Sequence, residues 1–170
     1  MSSAVDPLFA PRVRYSEGLS FDDAIVMDKN IRELERIDFL REFDSVREGV
    51  LSAALLSIKV VTVYVDEEVA AIFGVTHPQV IGDGVIVQAP WLCLTKKAAG
   101  ENRFTVLKEA KRWWKYNRNR WAVLYNWVPV EDVPAQNFLR FLGFEVYDDR
   151  PHERGGGVYF AFKWEKEKCA

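Results

Sequence analysis

The chain has 170 residues, room for one domain, and 49% of them are apolar, so a sizeable core is within reach. Six Trp and eleven Phe make that core aromatic, which excludes the disordered and fibrous classes. A net charge of −2 excludes a protein whose entire surface is a nucleic-acid platform, although the charge is unevenly distributed along the chain.

In chain order, residues 1–11 carry Asp6 and are interrupted by Pro7 and Pro11, so they read as a flexible N-terminus rather than a signal peptide. Arg12–Glu17 alternate as a short strand. Ser20 followed by Asp22 and Asp23 is a helix start, with a capping hydroxyl and two acids in the first turn where the helix dipole favours them. From Ile25 to Phe43 apolar residues recur at helical spacing, which predicts one amphipathic helix with Asp28, Glu33, Glu35 and Asp38 on its polar side. Val46–Ile58 reads as a second. Val60–Val65, the turn Asp66-Glu67-Glu68 and Val69–Thr76 form a β-hairpin closed by His77-Pro78. Gly82-Asp83-Gly84 is a turn, and Val85–Val87 leads through Pro90 to the strand Trp91–Thr95, whose Cys93 reads as a small buried hydrophobe.

Arg103–Arg120 is the clearest helix, with Phe104, Leu107, Lys111 and Trp114 along one stripe. Trp121–Val128 is a continuous apolar strand interrupted by Asn126. A buried Asn needs a hydrogen bond, and here it reads as closing a polar gap between strands. Val133–Phe141 is a short helix stopped by Gly143, followed by strands Glu145–Asp148 and Val158–Glu165 joined through a flexible connection at Gly155-Gly156-Gly157. Residues 165–170 are a charged tail containing Cys169. Two cysteines without ligand spacing make neither a disulfide framework nor a metal site and suit a reducing compartment. No apolar run approaches the ~20 residues that a membrane helix needs. The expectation is a soluble protein made in a cytoplasm and not secreted.

Together these elements predict an α/β (α+β) single domain, 1–170, with a mixed central sheet of about seven strands and helices on both faces. The basic helix serves as the right-handed crossover between parallel neighbours Trp91–Thr95 and Trp121–Val128.

The same order is similar to that of the acetyltransferase-like GNAT superfamily, whose members commonly end with an Asn, an Ala three residues on, an aromatic-rich helix and Leu-Gly-Phe. Asp132, Ala135, Phe138-Leu139-Arg140-Phe141 and Leu142-Gly143-Phe144 stand at that spacing. A narrower resemblance rests on Asn30-Ile31-Arg32-Glu33-Leu34-Glu35-Arg36, Val69-Ala70-Ala71-Ile72-Phe73-Gly74-Val75, Pro90-Trp91-Leu92-Cys93-Leu94-Thr95, the basic helix and Tyr125-Asn126-Trp127-Val128. These blocks look like the internal virion protein A family of short-tailed bacteriophages, itself GNAT-like.

The resemblance raises acetyl-CoA as a cofactor. GNAT members bind its pyrophosphate on backbone N–H groups at a helix start, in the pattern Arg or Gln, two residues, Gly, one residue, Gly or Ala. Here the loop places Lys97 and Gly100 at the first two positions but Asn102 at the third, and Glu101 adds a negative charge. The resemblance thus assigns Leu92, Cys93, Leu94, Lys96, Lys97, Gly100, Asn102 and Asp132 to the cofactor; an ordinary solvated helix start is the competing reading. Where many members carry a Tyr acid, Leu139 stands. No carboxylate on Trp91–Thr95 serves as a base, and His77 is the candidate titratable group, with a turn residue as its plainer role. No catalytic residue is assigned beyond that candidate, and no metal ligand set is found.

The implied function is a virion-associated or assembly protein of a phage with a degenerate acyl-CoA cleft, weakly catalytic or not at all, located in the virion or the infected host's cytoplasm. The alternative is an acetyl-CoA-dependent N-acetyltransferase acting on an amine of a host or phage protein. Other virion proteins are the expected partners. Lys96, Lys97, Arg103, Lys108, Lys111, Arg112, Lys115, Arg118 and Arg120 are opposed only by Glu101 and Glu109. That stretch fits either nucleic acid, through Arg103–Arg120, or charge complementarity with acidic helices of its own chain or a partner.

Overall fold

A computed structural model describes residues 12–166. The expectations for residues 1–11 and for Cys169 in the tail lie outside them. Strand β1 (Val13–Glu17) leads to α1 (Phe21–Asn30), where Ser20 Oγ accepts the Asp23 N–H at 3.0 Å as an N-cap. The single helix expected from Ile25 to Phe43 is two. Helix α1 ends at Asn30, α2 runs Glu33–Leu40, and between them Ile31 forms an antiparallel bridge with Thr95. Asn30 is a helix stop signal that the apolar periodicity overrode. Helix α3 (Val46–Leu55) is shorter than expected, because Ile58 already belongs to β2 (Ser57–Val65).

Strands β2 and β3 (Glu68–Thr76) form the expected hairpin. Asp66 and Glu67 both take positive φ, 51° and 64°, the conformation of a two-residue turn matched to strand twist. The short ribbon of β4 (Gln79–Ile81) and β5 (Val85–Val87) precedes β6 (Pro90–Leu94). The loop after β6 is wound into a one-turn helix, α4 (Lys96–Ala99), before α5 (Arg103–Asn117) and a 3₁₀ turn at Arg118–Arg120. Then come β7 (Val123–Pro129), α6 (Val133–Leu142), β8 (Glu145–Arg154) and β9 (Gly157–Glu165). Gly143 closes α6 at φ 92°, as expected. The β8–β9 connection is tighter than expected: Gly155 and Gly156, at φ 50° and 78°, make a two-residue turn rather than a flexible loop.

One mixed sheet was expected, but the strands divide into antiparallel sheets ordered β1-β2-β3-β6 and β7-β9-β8, beside the β4-β5 ribbon. The expected parallel ladder between β6 and β7 shrinks to one parallel bridge, Gln88 with Leu124, just before β6 begins. Beyond it the two strands part.

Helices α1 and α3 cover one face of the first sheet through Met27, Ile31, Val46 and Val50 against Ile72 and Cys93. Helices α5 and α6 cover the other side, where Trp114, Trp121, Leu124, Phe144 and Phe162 pack together. Trp113 sets its ring edge-on to Phe73 at 4.6 Å. The aromatic core read from composition therefore sits under α5, at the point where the sheets meet. A Cβ on Gly74 would lie 2.7 Å from both the Lys59 carbonyl oxygen and the Trp91 indole, so only glycine lets β3 pass beneath that ring. Gly74→Ala is expected to cost about 1–3 kcal/mol in urea unfolding, as overpacking does; an unchanged midpoint would mean that Trp91 is not held.

Candidate active site

The parting of β6 from β7 follows from backbone hydrogen bonding. Alternation along an antiparallel ladder directs every second residue of β6 to β3, and the bonds from Thr95 N to Ala70 O and from Thr76 N to Ala89 O fix which residues those are. Cys93 is therefore committed to β3, while Leu92 and Leu94 turn their peptide groups toward β7. On β7, Val123 and Tyr125 bond both peptide groups of Gln88, which sets Trp127 on the same open edge. Asn126 spans the start of the gap, donating from Nδ2 to Pro90 O at 2.9 Å, the strand-closing role expected of it.

A cavity of about 620 Å³ opens at this splay. Arg32, Glu35, Asp38, Trp91 and Trp127 line it on the α2 side, and Leu92, Val106, Trp113, Ala135 and Leu139 on the side of α5 and α6. Across its α2 side lies an ionic network absent from the sequence reading. Leu94 O accepts the Arg32 N–H at 3.0 Å, and Glu35 Oε2 accepts the Leu94 N–H at 2.9 Å, so α2 occupies the free edge of β6 at that residue. The Arg32 guanidinium pairs with Glu35 at 2.8 Å and reaches over the gap to Asp132 at 2.7 Å. Asp132, 3% exposed, also caps α6 by accepting the Ala135 N–H. Further along α2, Arg41 pairs with Asp38 and Glu131, and Tyr159 donates to Asp38. Helix α2 thus straps the two sheets together.

Desolvation pushes the Glu35 carboxyl up to about 7, despite Arg32 and the Leu94 N–H favouring its charge, and the neighbouring Asp132 adds to the rise. Burial opposes the charge on Arg32, yet Glu35 and Asp132 hold its pKa above the ordinary guanidinium value. A carboxyl titrating near neutrality, at the wall of a cleft and beside open backbone groups, can exchange a proton with a bound ligand.

The residues assigned from the sequence separate into distinct environments. Leu92 faces the splay with its backbone, Cys93 is fully buried against α1 and α3 as expected, and Leu94 is engaged by α2. Asp132 is at the splay but spent on Arg32. Lys96 is the exposed first residue of α4 and Gly100 its exposed C-cap, Asn102 stands before α5, and Lys97 pairs with Glu68 at 2.6 Å. The N–H groups of this loop are used internally: Ala98 to Thr95 Oγ1, Ala99 to Thr95 O, Gly100 to Lys96 O and Asn102 to Lys97 O. His77 is exposed and contributes nothing to the cavity wall. Glu35 was expected on the polar side of one long helix, and Arg32 carried no role of its own. Only the stop at Asn30, followed by an i,i+3 Arg–Glu pair, hinted at their placement. No group of three or more His, Cys, Asp or Glu that could hold a metal occurs among the described residues, nor does any helix there have the length and apolarity to cross a membrane.

No protein-family model and no curated protein matches the chain. Solved structures do match in shape. An acetyltransferase of the GNAT family from Streptococcus pneumoniae has a TM-score of 0.56 at 14% identity, over 91% of this chain and 99% of that one. The structure of yncA from Salmonella typhimurium, holding its cofactor acetyl-CoA, has a TM-score of 0.59 at 12% identity, over 95% and 96%. The ribosomal-protein-S18-alanine N-acetyltransferase of Escherichia coli has a TM-score of 0.55 at 10% identity, over 94% and 97%. The fold is GNAT-like, and at these identities the likeness concerns the fold alone.

Two outcomes follow for the network. Arg32→Met leaves two buried carboxylates without their counter-ion and is expected to cost about 3–5 kcal/mol in denaturant unfolding. Because Glu35 holds a proton in the folded state that the unfolded chain releases near 4.5, stability should fall as pH rises from about 4.5 to about 7 and level off above. Glu35→Gln should remove that slope from a series of melting curves; an unchanged slope would place the titration elsewhere.

Proposed function

We propose that the chain is an acyl-CoA-dependent N-acyltransferase whose acceptor is a cationic amine, with Glu35 as the proton acceptor. The observation that carries this reading is the splay itself, where β6 and β7 part after one bridge and open a cavity reaching from α2 to α5 and α6. The backbone groups of Leu92 and Trp127 turned into the gap suit the amides of a pantetheine arm. The loop after Thr95 suits phosphates less well, since the N–H groups of Ala98, Ala99, Gly100 and Asn102 are bonded internally, and their charge would fall to Lys96 and Arg103 and the first turn of α5. Acyl-CoA, when bound, supplies a thioester as the activated acyl group.

On the acceptor side, each of the guanidinium groups of Arg32 and Arg41 is shared by two carboxylates: Glu35 and Asp132, then Asp38 and Glu131. The surplus is negative and lies beside the indoles of Trp91 and Trp127, a setting that attracts an ammonium group. Glu35 removes its proton, and a pKa near neutrality matches that task at physiological pH. Leu139 at the family's tyrosine position leaves thiolate protonation to solvent.

A second reading rests on the internal bonding of the loop after Thr95 and on the blocks that resemble the phage family. It is a virion-associated or assembly protein that keeps the fold without the reaction. Calorimetry with acetyl-CoA and an amine-acetylation assay separate the two. The transferase reading expects micromolar binding, turnover rising with pH through about 7, and a loss of turnover in Glu35→Gln of at least about 100-fold with binding retained. No heat at millimolar acetyl-CoA would overturn it and leave the virion reading.

A further inference from the structure

The exposed face of α5 was open to two explanations, and the fold separates them. At about 100° per residue, Phe104, Lys108, Lys111, Arg112, Lys115, Tyr116 and Arg118 fall within an arc of about 160°, opposite Val106 and Trp113, which face inward. The acidic helices α1 and α2 lie across the first sheet from this arc, and three of their acids, Asp28, Glu35 and Asp38, pair with Arg36, Arg32 and Arg41. Among the described residues, none of Arg103, Lys108, Lys111, Arg112, Lys115, Arg118 and Arg120 takes part in an ion pair. Of the two acids expected to oppose them, Glu109 accepts from the Tyr15 hydroxyl at 2.8 Å, which leaves its charge in place. Two acids, Glu101 and Glu109, against the nine cations of this stretch leave most of the stripe uncompensated.

The aromatic residues on the same arc carry the inference further. Phe104 is 71% exposed and Tyr116 73% exposed, one in the first turn of α5 and one in the last, about 18 Å apart along the axis. Large apolar rings left in water on a charged helix do nothing for the core. The Arg103 guanidinium lies 4.7 Å from the Phe104 ring centroid, and Lys111 Nζ lies 4.8 Å from that of Phe141 on the neighbouring α6, so cation and ring are already associated at both places. Unpaired cations flanked by exposed rings are the two components of a single-strand nucleic-acid surface: phosphates meet the cations while unstacked bases lie on the rings. We propose that this face of α5 binds single-stranded nucleic acid without sequence preference. The surface meets the donor end of the splay at Arg103 and the first turn of α5 and runs from there away from it to Tyr116 and Arg118; it does not depend on the acyltransferase reading.

Fluorescence anisotropy of the full chain with a labelled oligothymidine of roughly 20 nucleotides tests it. Binding is expected at ~50 mM salt, with log affinity falling against log salt at a slope of about −3, as for some four phosphates met. Lys108→Glu with Lys115→Glu should weaken binding at least about tenfold, and both positions are exposed, so folding is checked by an unchanged melting curve. Phe104→Ala with Tyr116→Ala should lower single-strand affinity while leaving heparin binding unchanged, because stacking and not charge is removed. The proposal is overturned by no binding at that salt, by equal or tighter binding of duplex with the aromatic variants unaffected, by equal binding of polyglutamate, or by displacement of the oligonucleotide with acetyl-CoA, which would assign the cations to the acyl donor.

Discussion

The arrangement of the molecule depends on one ionic contact, the Arg32 guanidinium held between Glu35 and Asp132. It joins the free edge of β6 to the start of α6 across the gap between the two sheets, where no backbone ladder can form. Two sheets that touch through a single bridge need another tie, and α2 supplies it, at Arg32 and again at Arg41 and Tyr159. Buried ion pairs are weak sources of net stability because desolvation offsets much of their attraction. Their geometry is nevertheless specific, and here it fixes the width of the splay.

The same contact sets the chemistry that the cleft can support. By placing Glu35 in a poorly solvated wall, the break between α1 and α2 raises its proton affinity to the neutral range while leaving a hydrogen bond to Leu94 N that orients it. By occupying both peptide groups of Leu94, it also shortens the open edge of β6 to Leu92. The cleft is thus narrower on its α2 side than the strand geometry alone would make it, and the acids gathered there outnumber the guanidinium groups that hold them.

Charge is segregated between the two faces in a way that the near-neutral total conceals. Asp28, Glu35 and Asp38 of α1 and α2 find arginines within their own layer, whereas α5 turns its basic arc to solvent. A net charge of −2 is therefore the sum of an acidic side, where carboxylates outnumber the arginines that hold them, and a basic arc on α5.

The sequence by itself determined those elements whose signals are local. The Ser20 cap, the β2–β3 turn, helix α5 and the stop at Gly143 all stand where side-chain periodicity and φ preferences placed them, although the stripe of α5 that packs inward runs through Val106, Trp113 and Trp114 and leaves Phe104 and Lys111 exposed. Asn126 spans the strands as a polar residue in an apolar run must. Cys93 was legible for the same reason. The break at Ile31–Arg32 was not, since the apolar stripe continues through it and the reason for breaking, a bridge to Thr95, lies 64 residues away. Nor could the sequence show that β6 and β7 share one bridge instead of a ladder, or that Glu35 is a buried acid and not a solvated one. Burial and pairing across sheets are properties of surfaces that meet only after the chain has folded, so only the tertiary structure decided which charges would leave water.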